Sequence, residues 1–421
     1  MKKRIITIGI LLVAFIIAGV IMFNYDREGI IEEGPYAGYG NIEEANVWLV
    51  TDTHYIAPSL TDGGEYFHRM VDNGDGKYMY ACEEINDAFV ARAINEKPDA
   101  IIVSGDLTFN GAYESHVAFA EKLQEIKDAG IQVIAIQGNH DFTEKRAAKF
   151  VEDTYELVDS IDATQYLDIY GDFGIDDAIA RDETSLSYVA EIKPNLRVLV
   201  VDVNTVRGMP GILTSSTLDF AEKQLKKAQD DKAYVIGVTH QNLLEHSELT
   251  SYGMMFINND RLLELYESYN VLLNLSGHMH IQHIKESENG FVEIATGALM
   301  TAPNYYGKLT FKKHGLSYEA VPVLDEDSET AKAAHKFLWS NAYRQGSALV
   351  EGNIDQDDLA TYFADFNTNY IAGRPDLIKW DSDLDAKWEK TNTFVPTYLK
   401  VVKDEMDATG GSDFVHYDKT W

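Results

Sequence analysis

"DAIIVSGDLTFNG" (residues 99–111) begins as an unbroken apolar run, Ala100–Val103, between Pro98 and Gly105, and then delivers one carboxylate, Asp106. A β-branched run of this length without polar alternation reads as a central strand covered on both faces. Gly105-Asp106 then sits where the chain leaves the sheet. In open α/β sheets that carboxyl edge is where ligands bind. An isolated Gly-Asp serves equally well as a turn or a helix cap, so the other strand ends must decide what Asp106 does.

They repeat the arrangement. "NVWLVT" (46–51) runs into Asp52-Thr53-His54, "IQVIAI" (131–136) into Gly138-Asn139-His140-Asp141, "AYVIGVT" (233–239) into His240, and "VLLNLS" (271–276) into Gly277-His278-Met279-His280. With "RVLVVDV" (197–203), these runs alternate with helical stretches, which predicts a layered α/β domain. Residues two apart on an extended chain point the same way, so Asp52 with His54, and His278 with His280, can each converge on one point. Mixed imidazole and carboxylate ligands suit Zn, Fe, Mn or Co better than Mg or Ca. Taken singly, Asp52 could cap a turn, His240 could be a core histidine and the His278–His280 pair could lie on a surface loop. Five such strand ends in one chain point instead to a metal centre.

The ordered set D-x-H, G-D, G-N-H-D, H and G-H-x-H, spanning residues 52–280, resembles the calcineurin-like metallophosphoesterases. That resemblance implies a four-layer α/β sandwich, two mixed β-sheets flanked by helices, and a site holding two divalent transition metal ions, with Fe, Mn or Zn expected. Residue by residue it implies that Asp52, His54, Asp106 and His280 bind the first ion, and that Asp106, Asn139, His240 and His278 bind the second. Asp106 would then bridge the two. A water held between ions about 3.5–4 Å apart loses a proton near neutral pH and attacks phosphorus in line. His140 matches the family histidine that meets the substrate phosphate and protonates the leaving oxygen.

Departures from related branches narrow the substrate. Phosphoprotein phosphatases continue the second motif as G-D-x-x-D-R-G, whereas Phe109 and Asn110 stand at those positions here, leaving the orienting partner of His140 unidentified. Together with "TDTHY" (51–55), "DFGIDDAIARDETSLSY" (172–188) and "LSGHMH" (275–280), the pattern resembles bacterial two-domain class III cyclic nucleotide phosphodiesterases. A small phosphodiester such as a cyclic nucleotide is the substrate this implies. A phosphomonoesterase or nucleotidase of the same superfamily is the alternative, and a non-catalytic surface scaffold is the competing reading from outside enzymology. Gln241 stands where relatives often carry a second histidine. "DNGDGKYMY" (72–80) lacks the alternating acidic spacing and terminal glutamate of an EF-hand, so it reads as a loop near the site mouth. His68, His116, His246 and His283 match no motif and read as structural or surface residues.

The 421 residues carry 36 Lys+Arg against 68 Asp+Glu, a net charge of -32, which disfavours nucleic-acid polymers as partners. Residues 5–23, "IITIGILLVAFIIAGVIMF", are uninterruptedly apolar behind Lys2-Lys3-Arg4. At about 1.5 Å per residue they cover roughly 28 Å, a membrane-spanning length. The expectation is an amino-terminal signal or anchor over 1–24, with the rest of the chain facing outward by the positive-inside bias, or secreted if the segment is cleaved. Residues 25–44 read as an acidic tether and 45–324 as the catalytic domain. Beyond a boundary near 325, "DSETAKAAHKFLWSNAYRQ" (327–345) opens a helical carboxyl-terminal domain. Cys82 is the only cysteine, so no intrachain disulfide forms.

Overall fold

The computed structural model describes residues 35–421 apart from Ala37, Thr143, Glu144, Thr250 and Asn392. The apolar run at 5–23 and the first part of the expected tether therefore lie outside the described residues. Among the described residues no helix is long and apolar enough to cross a membrane.

In chain order the strands are β1 (Ala45–Val50), β2 (Ala100–Ser104), β3 (Gln132–Ile136), β4 (Ala148–Val151), β5 (Thr154–Leu157), β6 (Ala180–Arg181), β7 (Tyr188–Lys193), β8 (Leu196–Val200), β9 (Tyr234–Val238), β10 (Asn274–Ser276), β11 (His283–Glu286), β12 (Val292–Ala295), β13 (Tyr305–Lys312), β14 (Gly315–Pro322) and β15 (His416–Thr420). The first sheet has the order β15-β14-β13-β1-β2-β3 and the second β11-β12-β10-β9-β8-β7-β6, while β4 and β5 form a separate hairpin. Strands β1, β2 and β3 are parallel neighbours. So are β8, β9, β10 and β12. The late strands thus divide between the sheets: β12 extends the second, and β13 and β14 add antiparallel strands to the first beside β1.

The unbroken apolar runs follow from coverage on both faces. All five residues of β2 are buried. Helices Cys82–Glu96 and Tyr113–Asp128 pack with the first sheet; Phe89 lies 6.2 Å from the Trp48 ring. The other sheet approaches from the opposite side, where the Tyr188 hydroxyl of β7 donates to the Ala135 carbonyl of β3 (2.8 Å). Helix Ser215–Asp231, whose first turn is capped by Thr214 (accepting from Thr217 N, 3.1 Å), buries Leu218, Ala221, Leu225 and Ala228 against the second sheet. This is the i, i+3, i+7, i+10 stripe of an amphipathic helix, and each large side chain buried this way contributes roughly 1.5–3 kcal/mol.

Past residue 325 the chain is helical, over Glu329–Leu349, Gln356–Ile371, Ser382–Thr391 and Phe394–Ala408. These helices bury Leu359, Phe363, Phe366, Trp388, Val395 and Leu399 in a common core. The chain then returns to pair β15 with β14 at the edge of the first sheet. Gln282 ties this region to the loop before it: its N–H donates to the Ile371 carbonyl (3.0 Å) and its side chain to the Phe414 carbonyl (2.7 Å). The helical region thereby fixes the segment two residues beyond His280. Residues Gly40–Thr420 form one unit; Tyr36, Tyr39 and Trp421 belong to a separate one.

Candidate active site

The parallel strands of both sheets end at one place, and the predicted side chains meet there. Asp52, His54, Asp106 and His280 bring ligand atoms within 4.8 Å of one another, and so do Asp106, His240 and His278. Asp106 belongs to both groups. Asn139 joins the second, its Oδ1 3.2 Å from His240 Nε2. Every residue expected to hold an ion is therefore at this centre, and Asp52, His54, Asp106, His240 and His278 are buried.

The backbone delivers these groups by bending sharply. Asp52 (φ 51°), His54 (39°), Asp106 (46°), His278 (67°) and His280 (59°) all adopt left-handed conformations, which cost non-glycine residues on the order of 1–3 kcal/mol each. Close approach demands glycine beside them. A Cβ at Gly138 would collide with Asp106, and one at Gly277 with Thr51 and Asp52.

Hydrogen bonds then decide which nitrogen of each imidazole faces the centre. A carbonyl can only accept, so His240 Nδ1 donates to Ser104 O (2.9 Å) and His278 Nε2 donates to Gly253 O (3.0 Å). The remaining lone pair of each ring faces inward. His240 Nε2 lies 3.3 Å from Asp106 Oδ1, and His54 Nε2 and His280 Nε2 lie 3.1 Å apart, the latter 3.1 Å from Asp52 Oδ1. His54 Nδ1 finds no hydrogen-bond partner among the described residues.

Lone pairs crowded this closely need positive charge between them. Burial opposes the charged form of His240, yet the Asp106 carboxylate lifts its proton affinity to about 9. Burial and the Lys77 charge oppose protonation of His280, and the Asp52 and Asp75 carboxylates still lift it to about 9. Burial alone would raise Asp52 and Asp106, but neighbouring histidines hold both carboxyls below the ordinary range. The donor set fits two divalent ions of the borderline class, with Asp106 offering an oxygen to each.

His140 is placed beside this centre rather than in it. Its Nε2 is 4.0 Å from Asp106 Oδ2, its N–H donates to Asp106 Oδ1 (2.7 Å), and its Nδ1 donates to the Phe109 carbonyl (2.8 Å). The orienting partner that the sequence left unidentified is thus a backbone oxygen. Burial lowers the proton affinity of His140, while Asp106 opposes that shift. Asp141 has a structural task, accepting from Leu107 N (3.1 Å), Thr108 N (2.9 Å) and Gly138 N (2.7 Å), and so clamps the loops after β2 and β3 together. Gln241, at the position where relatives carry histidine, accepts from Gly211 N (2.6 Å).

Two contributors escaped the sequence reading. Asp75 reaches His280 Nδ1 (3.2 Å) and Lys77 Nζ (2.7 Å), both from the "DNGDGKYMY" loop. The acidic cluster there was the available signal, but its spacing fitted no metal loop. The histidines without motifs do lie elsewhere. His116 bonds Tyr170 OH (3.0 Å), and His246 packs against His283 (3.0 Å between Nδ1 atoms); all three are buried, whereas His68 is exposed and contacts Tyr80.

Beside His140 opens a cleft of about 730 Å³ lined by Tyr66, Phe109, Phe150, Tyr155, Lys77 and Arg146 among others. Met70, Tyr155 and Leu157 are exposed on its wall.

Comparison with known proteins places this geometry. The family model for calcineurin-like phosphoesterases matches residues 45–282. A probable glycerophosphodiester phosphodiesterase GpdQ of Arcobacter nitrofigilis is 27% identical over 237 residues, covering 55% of this chain and 70% of that protein. Among solved structures, a dimetal phosphatase from Danio rerio superposes with a TM-score of 0.50 at 13% identity, over 67% of this chain and 97% of that one. That likeness shows the fold.

Proposed function

Because the chain belongs to the calcineurin-like phosphoesterase family, an enzyme family that uses two divalent metals, we propose that it is a phosphodiester hydrolase with cyclic nucleotides first among its substrates. The observation that carries the reading is Asp106, shared by two complete donor groups, with His140 Nε2 only 4.0 Å away. Similarity to a probable glycerophosphodiester phosphodiesterase favours a diester over a monoester. The aromatic and apolar wall of Tyr66, Phe150 and Tyr155 offers a flat substituent a surface that a bare phosphate would not need.

When bound, the ions neutralise the phosphoryl oxygens and make a water at the centre acidic. The protein's own groups do the rest. Asp52, His54 and His280 on one side, and Asn139, His240 and His278 on the other, are rigidly held, so the centre keeps its geometry through the reaction. A P–O bond forms to the attacking water oxygen and the opposite P–O bond breaks. The attacking water's proton leaves to solvent, and His140, its Nδ1–H fixed on the Phe109 carbonyl, presents Nε2 to the leaving oxygen; as the imidazolium it gives its Nε2 proton to that oxygen and is reprotonated from solvent.

Leaving-group dependence tests this role. A cyclic nucleotide expels a poor alkoxide, so His140→Ala should cost about 10²-fold or more in kcat/KM, whereas bis(p-nitrophenyl) phosphate, with its stable leaving group, should lose far less. Equal losses on both would assign His140 to positioning, and fast monoester hydrolysis without diester turnover would make the protein a phosphatase.

We further propose that the catalytic domain faces outward from a membrane to which residues 5–23 hold it. The support is the length of that run and its basic flank, Lys2-Lys3-Arg4. Protease added to intact cells should digest the domain; protection until lysis would reverse the topology.

A further inference from the structure

We propose that Lys77 grips a non-bridging oxygen of the bound phosphoryl group and that Asp75 positions it, an assignment that rests on the phosphoester reading above. In a chain of net charge -32, a cation at the site has to be placed there deliberately. The motif around Asp106 supplies none: Phe109 and Asn110 follow it, and the Asn110 amide is turned to the Ala148 carbonyl (3.1 Å). Lys145 and Arg146 line the cleft but are exposed at its rim. Lys77 alone of these three is buried, at 8% exposure, and it lines the same cleft as His140.

Burying a lysine is costly unless its charge is used. Neutralising Asp75 does not explain it, because the Asp75 side chain is 51% exposed and water would serve as well. Asp75 instead holds two groups at once, Lys77 Nζ at 2.7 Å and His280 Nδ1 at 3.2 Å, which locks the ammonium to the wall of the metal centre. The backbone reinforces that placement. Lys77 forms an antiparallel bridge with Thr301, and Tyr78 N donates to the Met300 carbonyl (2.7 Å). An ammonium fixed in advance beside the reacting position is what stabilises charge on a transferring phosphoryl group.

Inorganic phosphate is the probe. Its dissociation constant on the metal-loaded full chain is measured by calorimetry for the unmodified protein, Lys77→Met and Lys77→Arg, with metal content read in parallel. Losing a charge-assisted hydrogen bond should weaken phosphate roughly 10- to 100-fold in Lys77→Met. Metal content should be unchanged, and Lys77→Arg should recover most of the affinity. Unaltered phosphate affinity in Lys77→Met overturns the assignment, and so does a loss of bound metal that accounts for the weakening. Should Lys77→Met fail to fold, Lys77→Gln is read by the same criteria. Because phosphate binding needs no turnover, a protein that hydrolyses no diester but binds phosphate through Lys77 would refute the substrate reading and leave this one standing.

Discussion

At Asp106 the chain leaves β2 with a φ of 46°, and four other residues at the centre are bent the same way. Strain of this kind persists only where the surroundings over-determine it. Here Asp141 clamps the two loops, glycines at 138 and 277 admit the neighbours, and carbonyls fix the imidazoles. Asp106→Ala should therefore lower metal content from two ions per chain to one or none, measured by elemental analysis on protein of unaltered helical signal; two retained ions would remove its bridging role. These residues were legible because each lies directly after a strand and at a fixed spacing from its companions. The partner of His140 was not legible, since a backbone carbonyl leaves no mark on residue identity. Asp75 was hidden for a different reason: it reaches His280 across some two hundred residues of chain, and the acidic cluster around it, the one local signal, fits no metal-loop spacing.

Elements were legible in proportion to their burial. Strands β2, β3, β8 and β9, covered on both faces, show as apolar runs in the sequence and appear within three residues of those runs. The edge strands β15 and β6 carry no such run. β15, "HYDKT", alternates exposed and half-exposed positions, and β6 is two residues long. Both pair with a neighbour's backbone, which any side-chain pattern permits. Apolar alternation likewise could not say which sheet β13 and β14 would join, because it records which face is buried and not which strand lies alongside. The helices after residue 325 were evident from composition. Their hold on the His280 loop through Gln282 was not, because it consists of one side-chain and one backbone hydrogen bond.

For the molecule as a whole, two sheets distant in sequence supply halves of one centre: Asp52, His54 and Asp106 follow strands of the first, and His240, His278 and His280 follow strands of the second. Neither sheet alone holds a complete donor set, so the function depends on the tertiary packing that brings the two carboxyl edges together. That packing also explains how a chain with 68 acidic residues can work on an anionic ester: bound cations reverse the field locally, whatever the global charge. The most direct test is anomalous diffraction from crystals of the protein loaded with Mn or Zn. The account predicts two peaks about 3.5–4 Å apart, one among Asp52, His54 and His280, the other among Asn139, His240 and His278, with Asp106 between them. A single peak, or a pair that Asp106 does not touch, would contradict it.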